Sequence, residues 1–292
     1  MPNEFVDQRG RDLYVAARRV LLDALEALVE QRAATVLVGA QAVYLRCGDA
    51  DLGVAVYTKD ADIGIDPRRL SDRPRLEEAM RGAGFELAEG SQRQPGQWFR
   101  AERVGGTFHD IPVDLLVPEQ LAGTGSRRSA RIPPHDRLSA RKVAGLELMT
   151  VDNEAVRIES LEPETDRRSV EARVAGPAAL LIAKAYKIQE RLEDIDPGRA
   201  VDKDAGDVLR LMVGSNAREV ARTLRRLLND PEVGMTARTG LGYLTEQFGG
   251  TPRRARGAEM AVRALAGARP REFVEGLAAA YARTLARSVG ES

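Results

Sequence analysis

The sequence Thr-Val-Leu-Val-Gly-Ala at residues 35–40 is the stretch from which the fold can be read. Its first four residues form a short β-branched apolar run that predicts a strand. Ala40 to Arg46 then begin a helical pattern. A glycine between a strand and a helix permits a tight turn, and backbone N–H groups at the helix start can hold a phosphate. Gly39 and Ala40 are therefore a candidate phosphate cradle, although an ordinary strand-to-helix turn fits the same residues.

Three acidic residues follow on predicted strands. Asp60 and Asp62, within Thr-Lys-Asp-Ala-Asp-Ile at residues 58–63, are two residues apart, so a strand would place both carboxylates on one face. Asp114 interrupts the apolar run at 111–117, where a charge is costly unless it is paired or metal-bound. A hard cation such as Mg²⁺ would supply the missing positive charge. The alternatives are a solvent-exposed strand face for the first two acids and an edge position for Asp114.

The spacing of apolar residues extends this mixed pattern along the chain. It predicts an N-terminal mixed sheet flanked by helices and, after Gly176, an almost wholly helical region with a domain boundary near residue 175. The fold class is therefore α/β, in its α+β form, with domains at 1–175 and 176–292. Strands are predicted at 35–38, 60–65, 85–88, 97–104, 107–117, 146–151, 156–161 and 170–174, and helices at 12–32, 40–46, 74–83, 177–193, 203–213, 216–228, 234–248, 252–267 and 270–288.

The amino-acid composition excludes several classes of protein. The chain has 292 residues, 43% of them hydrophobic and 30% charged, which excludes a wholly disordered or collagen-like chain. Forty-four basic and 44 acidic residues balance, so nucleic acid would have to bind to a local patch. One cysteine, Cys47, and two histidines exclude a disulfide framework and a cysteine or histidine zinc cage. We expect a cytoplasmic protein with no membrane partner, since no long apolar run occurs.

These motifs together resemble the nucleotidyltransferase superfamily of the polymerase β type. In that family a glycine-serine pair opens a helix, an Asp-x-Asp pair binds Mg²⁺, and a third carboxylate lies on a neighbouring strand. The later stretches Gly-Pro-Ala-Ala-Leu-Leu-Ile-Ala-Lys at 176–184 and Lys-Asp-Ala-Gly-Asp at 203–207 are similar to AbiEii-type toxins, which include the MenT-like mycobacterial nucleotidyltransferases. The resemblance covers roughly residues 35–213. Ala40 departs from it, because the family has serine there.

The resemblance implies a role for each matching residue. Asp60, Asp62 and Asp114 would be catalytic metal ligands, with Mg²⁺ as the cofactor and a nucleoside triphosphate as the substrate. Gly39, Ala40 and Thr58 would bind the nucleotide. Lys184, Lys187 and Arg191 form one cationic stripe on the predicted helix at 177–193, where Lys184 and Lys187 would bind the nucleotide's phosphates. Lys184 would also be catalytic, by neutralising the leaving phosphate. Asp204 is a further catalytic candidate, since Asp204 and Asp207, one turn apart, could orient Lys184 or Lys203. A solvated basic face and surface helix pairing are the alternatives.

The expected function follows from the same resemblance. It is Mg²⁺-dependent transfer of a nucleotide from a triphosphate to an RNA acceptor, the 3′ end of tRNA, by the toxin of a toxin–antitoxin pair that has a cognate antitoxin as partner. Transfer to a protein side chain or to a small molecule such as an aminoglycoside is an alternative, as is a non-catalytic partner-binding module. Arginine-rich segments could contact a phosphate backbone, or could simply be solvated; they lie at 127–142, at 218–226 and at 253–256.

Overall fold

The computed structural model describes residues 4–48, 52, 57–88, 94–124, 128–194, 202–250 and 255–290. The chain forms two compact units. Unit 1 comprises residues 1–42, 55–143 and 153–175, and unit 2 comprises residues 43–54, 144–152 and 176–292. The C-terminal helical region is thus joined in unit 2 by two short earlier segments. The domain division predicted near residue 175 stays a prediction.

Unit 1 is built on one mixed sheet. Its strands are β1 (Thr35–Val38), β2 (Ala61–Ile65), β3 (Glu86–Leu87), β4 (Gln97–Val104), β5 (Thr107–Pro118), β6 (Arg141–Val143), β7 (Asn153–Glu159) and β8 (Ser169–Ala175). They lie in the order β3-β4-β5-β2-β1-β8-β7, with β6 paired to β5 beyond the end of the β4 pairing. Strand β2 runs antiparallel to β1 and parallel to β5.

Helices cover this sheet. Helix α1 (Glu4–Ala27) contacts β4, β5 and β8 through a stripe of buried apolar residues that includes Ala17, Val20 and Leu21. Helix α2 (Gly39–Cys47) begins directly after β1, and α3 (Leu76–Gly82) precedes β3. Trp98 on β4 is fully buried, and its indole N–H donates to the carbonyl oxygen of Ser139 at 3.0 Å. Burial of these apolar side chains supplies the main stabilisation of the unit.

Unit 2 is helical. Its helices are α4 (Pro177–Glu193), α5 (Lys203–Gly214), α6 (Ala217–Leu228), α7 (Gly234–Gly249), α8 (Arg256–Ala264) and α9 (Arg271–Gly290). Helix α4 packs against α5 and α7, and α6 packs against α9. Asp152 caps α4 from outside the helix, because its Oδ2 accepts the backbone N–H of Ala179 at 2.8 Å. Asn216 caps α6 in the usual way, since its Oδ1 accepts from Arg218 N at 3.0 Å.

The fold class is confirmed: a mixed sheet with helices is followed by C-terminal helices. The strand predicted at 146–151 is wrong, because Glu147–Thr150 form a 3-10 turn, with Glu147, Leu148 and Met149 buried. The first helix begins earlier and ends earlier than predicted, at Glu4 and Ala27. Residues 252–254 of the predicted helix at 252–267 lie outside the described part of the chain, and α8 ends at Ala264.

Candidate active site

Strand register brings two of the predicted acids face to face. Asp62 on β2 pairs with Asp114 on the neighbouring parallel strand β5. Paired residues on adjacent strands point to the same face and lie about 4.8 Å apart at the backbone. Asp114 is buried and Asp62 is half-buried. Two carboxylates held this close favour binding of a cation between or beside them.

Gly39 completes this corner of the sheet. Val38, the last residue of β1, pairs with Asp62, so the chain turns into α2 directly beside the Asp62 carboxylate. Gly39 has φ +69, and a Cβ added there would lie 1.9 Å from Asp62 Oδ2. Both the backbone conformation and the contact require glycine. The turn thus places the start of α2 directly beside Asp62, the strand partner of Asp114.

Asp60 is fixed by its neighbours just before β2. It is two residues from Asp62, and its Oδ1 accepts a hydrogen bond from the hydroxyl of fully buried Thr58. Its backbone oxygen accepts from Gln41 Nε2 at 3.2 Å. Gln41 Oε1 in turn accepts from Arg18 Nε of α1 at 2.9 Å. The third residue of α2 therefore ties α1 to the segment that carries Asp60.

Arg18 is a buried guanidinium in this network. Its burial lowers its pKa, while the hydroxyl of Tyr14 acts in the opposite direction. A second bond runs from its Nη1 to the carbonyl oxygen of Glu159 at 3.0 Å, so the residue ties α1 to the end of β7 as well. An arginine retains its proton despite such a shift and serves here as a fixed donor.

Asp114 is also met by Arg141, the first residue of β6. Arg141 Nη2 donates to Asp114 Oδ2 at 2.5 Å, and Nη1 donates to Gln94 Oε1 at 3.4 Å. Arg141 pairs with Leu116, two residues beyond Asp114 on β5, and so shares the face of the acids. The buried carboxylate is neutralised within unit 1.

These side chains are not arranged as a finished metal site. Among the described residues, no group of three or more His, Cys, Asp or Glu is placed to hold a metal ion. The Asp114 carboxylate is engaged with Arg141, and that of Asp60 with Thr58. The donors nevertheless suit Mg²⁺, because all three are carboxylates, the hard oxygen ligands that this ion takes, and Asp62 and Asp114 lie side by side on one face of adjacent strands.

The remaining predicted residues form a second charged group in unit 2. Lys184 is buried, and its Nζ donates to Asp204 Oδ1 at 2.7 Å and to Asp207 Oδ2 at 2.6 Å. Arg191 Nη1 lies 2.7 Å from Asp204 Oδ2, and Lys187 Nζ lies 3.4 Å from Asp204 Oδ1. The predicted pairing of Lys184 with the two acids of α5 is thus present. We call this set, Lys184, Lys187, Arg191, Asp204 and Asp207, the lysine cluster.

Electrostatics within the lysine cluster keep Lys184 and Asp204 charged. Burial acts to lower the pKa of Lys184, but the carboxylates of Asp204 and Asp207 outweigh it and raise the pKa above its ordinary value. Burial acts to raise the pKa of Asp204, and the three cations around it lower the pKa instead. The ion pairs therefore persist over a wide pH range.

The structure sorts the predicted residues into two groups. Gly39, Ala40, Thr58, Asp60, Asp62 and Asp114 belong to unit 1, and Lys184, Lys187 and Asp204 belong to unit 2. Sequence patterns missed the roles of Gln41 and Arg18 around Asp60. They also missed the pairing of Arg141 with Asp114, since no spacing rule joins residues 27 apart on different strands. The sequence signal for the role of Gln41 is its polar side chain in an otherwise apolar helix start.

Comparisons with known proteins do not establish a family for this chain. No protein-family model and no curated protein matches the sequence. One solved structure that matches this chain is described as an antigenic nucleotidyltransferase-like protein from Paracoccidioides brasiliensis. It is 15% identical, with a TM-score of 0.43, and the match covers 85% of this chain and 92% of that one. Separately, no helix in the described residues has the length and apolarity needed to cross a membrane.

Proposed function

We propose that this protein is a Mg²⁺-dependent nucleotidyltransferase that moves a nucleoside monophosphate from a triphosphate to an acceptor hydroxyl and releases pyrophosphate. The observation that carries the proposal is the pairing of Asp62 with Asp114 beside the glycine turn at Gly39. Asp60, two residues from Asp62, adds a third carboxylate to the same face. Acids set side by side next to a helix start suit a cation and a polyphosphate together.

The metal would be held by Asp60, Asp62 and Asp114. When bound, Mg²⁺ would stabilise the negative charge that develops on the transferred phosphoryl group and on the leaving pyrophosphate. The hydroxyl of Thr58 orients Asp60. Backbone N–H groups of Gly39 and Ala40 would bind a phosphate, and Asp114 would accept the proton of the acceptor hydroxyl. The roles of Lys184, Lys187 and Asp204 in meeting phosphate stay predictions.

An RNA acceptor, the 3′ end of tRNA, is part of the proposal. Its support in the structure is the exposed face of α6, where Arg218, Arg222 and Arg226 follow one another at four-residue spacing. Among the described residues, no carboxylate lies within ion-pair distance of these three side chains. Such a face suits a phosphate backbone. The toxin role and the cognate antitoxin rest on the sequence resemblance.

Transfer of label tests the reaction. Purified protein is incubated with Mg²⁺, total tRNA and each α-³²P-labelled nucleoside triphosphate in turn. We expect labelled RNA from the wild type and a loss of at least about a thousandfold in Asp62→Asn and Asp114→Asn, since both remove a proposed metal ligand. The matched control is Asp110→Asn, which removes an exposed carboxylate four residues earlier on β5.

The outcomes separate the alternatives. Labelling of the protein itself would show that the acceptor is a protein side chain and not RNA. Equal labelling by wild type, Asp62→Asn and Asp114→Asn would refute the proposed site. Labelling by none of the proteins with any of the four triphosphates, together with no calorimetric binding of Mg²⁺ and triphosphate, would favour a non-catalytic module.

A further inference from the structure

Arg141 is a charged group beside the candidate site to which the proposed reaction gives no task. It is the first residue of β6, on the face of the sheet that carries Asp62 and Asp114, and its side chain is 27% exposed. One nitrogen donates to Asp114 and another to Gln94. Its position is fixed by β6 pairing with the part of β5 that directly follows Asp114.

The guanidinium is only partly satisfied. Arg141 Nε is buried and has no hydrogen-bond partner among the described residues. A buried donor without a partner costs free energy, and an arginine offers five donors in a planar fork suited to carboxylate and phosphate. Arg141 thus holds a spare donor next to the carboxylates proposed to bind the metal.

The ion pair with Arg141 also competes with a metal for Asp114. Arg141 Nη2 donates to Asp114 Oδ2, one of the two carboxylate oxygens that Asp114 could present to Mg²⁺, and its positive charge already neutralises that carboxylate. A cation arriving at Asp114 would replace the positive charge of Arg141, and the released guanidinium would then lie beside the metal with no anion. The triphosphate that accompanies the metal would be that anion.

We propose that Arg141 is a positioning residue that exchanges the Asp114 carboxylate for a phosphate oxygen as its partner, an inference that rests on the proposed function. In the free protein it neutralises Asp114. When Mg²⁺ and the triphosphate bind, it leaves Asp114 to the metal and pairs with a phosphate oxygen. The exchange keeps the buried carboxylate neutralised in both states, and it couples occupation of the metal site to binding of the polyphosphate.

Two binding measurements, neither of which depends on turnover, test the exchange. Mn²⁺ alone is titrated and followed by electron paramagnetic resonance of the free ion. Mg²⁺ with the α,β-methylene analogue of each of the four ribonucleoside triphosphates is titrated by calorimetry. In Arg141→Gln we expect Mn²⁺ to bind about tenfold more tightly, because its competitor is gone, and the Mg²⁺–analogue complex to bind about tenfold more weakly. In Arg141→Lys we expect smaller shifts of the same signs.

The controls separate this inference from the proposed function. Lys142→Gln removes the next positive charge on β6, which strand alternation places on the other face, and should leave both affinities unchanged. Asp62→Asn should abolish both. Thermal unfolding establishes whether each variant is folded. If Arg141→Gln does not fold, the two affinities of Arg141→Lys provide the test.

Opposite shifts of the two affinities support the exchange. Unchanged affinities, or a fall in both as a purely structural role would give, overturn it while leaving the proposed function in place. Failure of the wild type to bind either probe, matching Asp62→Asn, overturns the proposed function and the exchange with it.

Discussion

Unit 1 and unit 2 each hold a group of acidic side chains, but the two groups are neutralised in different ways. In the lysine cluster of unit 2, Asp204 and Asp207 share the buried ammonium of Lys184, and Asp204 is also met by Lys187 and Arg191. In unit 1, strand register sets Asp62 beside Asp114, and Arg141 reaches Asp114. The acids of unit 2 are held apart by a cation between them, whereas those of unit 1 are held together by the sheet.

The difference predicts that, in the free protein, the first group stabilises the fold, whereas the second is suited to bind a ligand. A shared buried ammonium with two carboxylates satisfies itself and needs nothing from solution. Carboxylates aligned by backbone hydrogen bonds cannot move apart, so their repulsion is relieved by an added cation. We therefore expect substitutions in the lysine cluster to act mainly on stability and substitutions in unit 1 to act mainly on ligand binding.

The largest effect is expected from Lys184→Ala. Removal of the ammonium leaves two buried carboxylates facing each other, which should lower the free energy of unfolding by about 3–5 kcal/mol. The matched control is Lys187→Ala, on the same helix and paired with the same Asp204 but 46% exposed, where a loss below about 1 kcal/mol is expected. Urea unfolding followed by circular dichroism measures both. Equal losses would contradict the view that burial distinguishes the two lysines.

The next effect is expected from Gly39→Ala. The new Cβ would collide with Asp62 Oδ2 in a left-handed backbone, so we expect about 3 kcal/mol of destabilisation and loss of Mn²⁺ binding. Gly84→Ala is the matched control, because Gly84 has φ +79 but no atom within 4 Å of an added Cβ. It should cost about 1 kcal/mol, the backbone part alone, with unchanged Mn²⁺ binding. Normal Mn²⁺ affinity in Gly39→Ala would contradict the proposed contact between the turn and the site.

A smaller effect is expected on the pH dependence of stability, which should differ between His135 in unit 1 and the lysine cluster in unit 2. Burial lowers the pKa of His135, and its neutral Nδ1 accepts the backbone N–H of Leu76 at 3.0 Å. The unfolded chain therefore binds a proton before the folded chain does. Stability from this contact is complete above pH of about 6.5 and is lost as the pH falls towards the lowered pKa, with a slope of at most about 1.4 kcal/mol per pH unit.

The comparison of wild type with His135→Gln measures this contribution. Urea unfolding between pH 7.5 and 5.5 should show the pH-dependent part in the wild type and its absence in the variant. The pair of Lys184 and Asp204 in unit 2 should contribute no pH dependence of stability in this range, since the pKa of Asp204 is lowered and that of Lys184 is raised. An unchanged slope in the variant would show that another group titrates.

The smallest effect is expected from Ala40→Ser. Ala40 follows Gly39 at the start of α2, where the resembled family has serine. One added hydroxyl near a phosphate should strengthen binding of the Mg²⁺–triphosphate analogue by about fivefold, the worth of a single hydrogen bond. Ala42→Ser, two residues later and fully buried, should lower stability without improving binding. Calorimetry that finds no gain in Ala40→Ser would exclude a phosphate contact at this position.

Local patterns predicted the parts of this structure that depend on neighbours in sequence. The hairpin at Gly105-Gly106 was predictable because a two-residue turn of this kind needs positive φ at both positions, and both have it, at 57° and 85°. The helices after Gly176 follow from their apolar spacing, whereas the shared face of Asp60 and Asp62 stays a prediction, because β2 begins only at Ala61.

Long-range pairings were not predictable in the same way. The alignment of Asp62 with Asp114 depends on which strands become neighbours, and the partner of Asp114 depends on β6, a three-residue strand within a segment that looks like a basic loop. The run at 146–151 alternates well enough to suggest a strand, yet Glu147 is buried in a helical turn. Tertiary packing decided each of these features, and no local spacing encodes it.

The position of Trp98 has a practical consequence. The chain has one tryptophan, so intrinsic fluorescence excited at the red edge of protein absorption reports on a single place. That place is in unit 1, on the strand position paired with Val113, next to Asp114 in sequence. Its indole is bonded to Ser139, two residues before Arg141 in the chain. Trp98 shares the face of Val113, opposite to that of Asp114, so its emission spectrum reports without a label on the β4–β5 strand pair that carries Asp114.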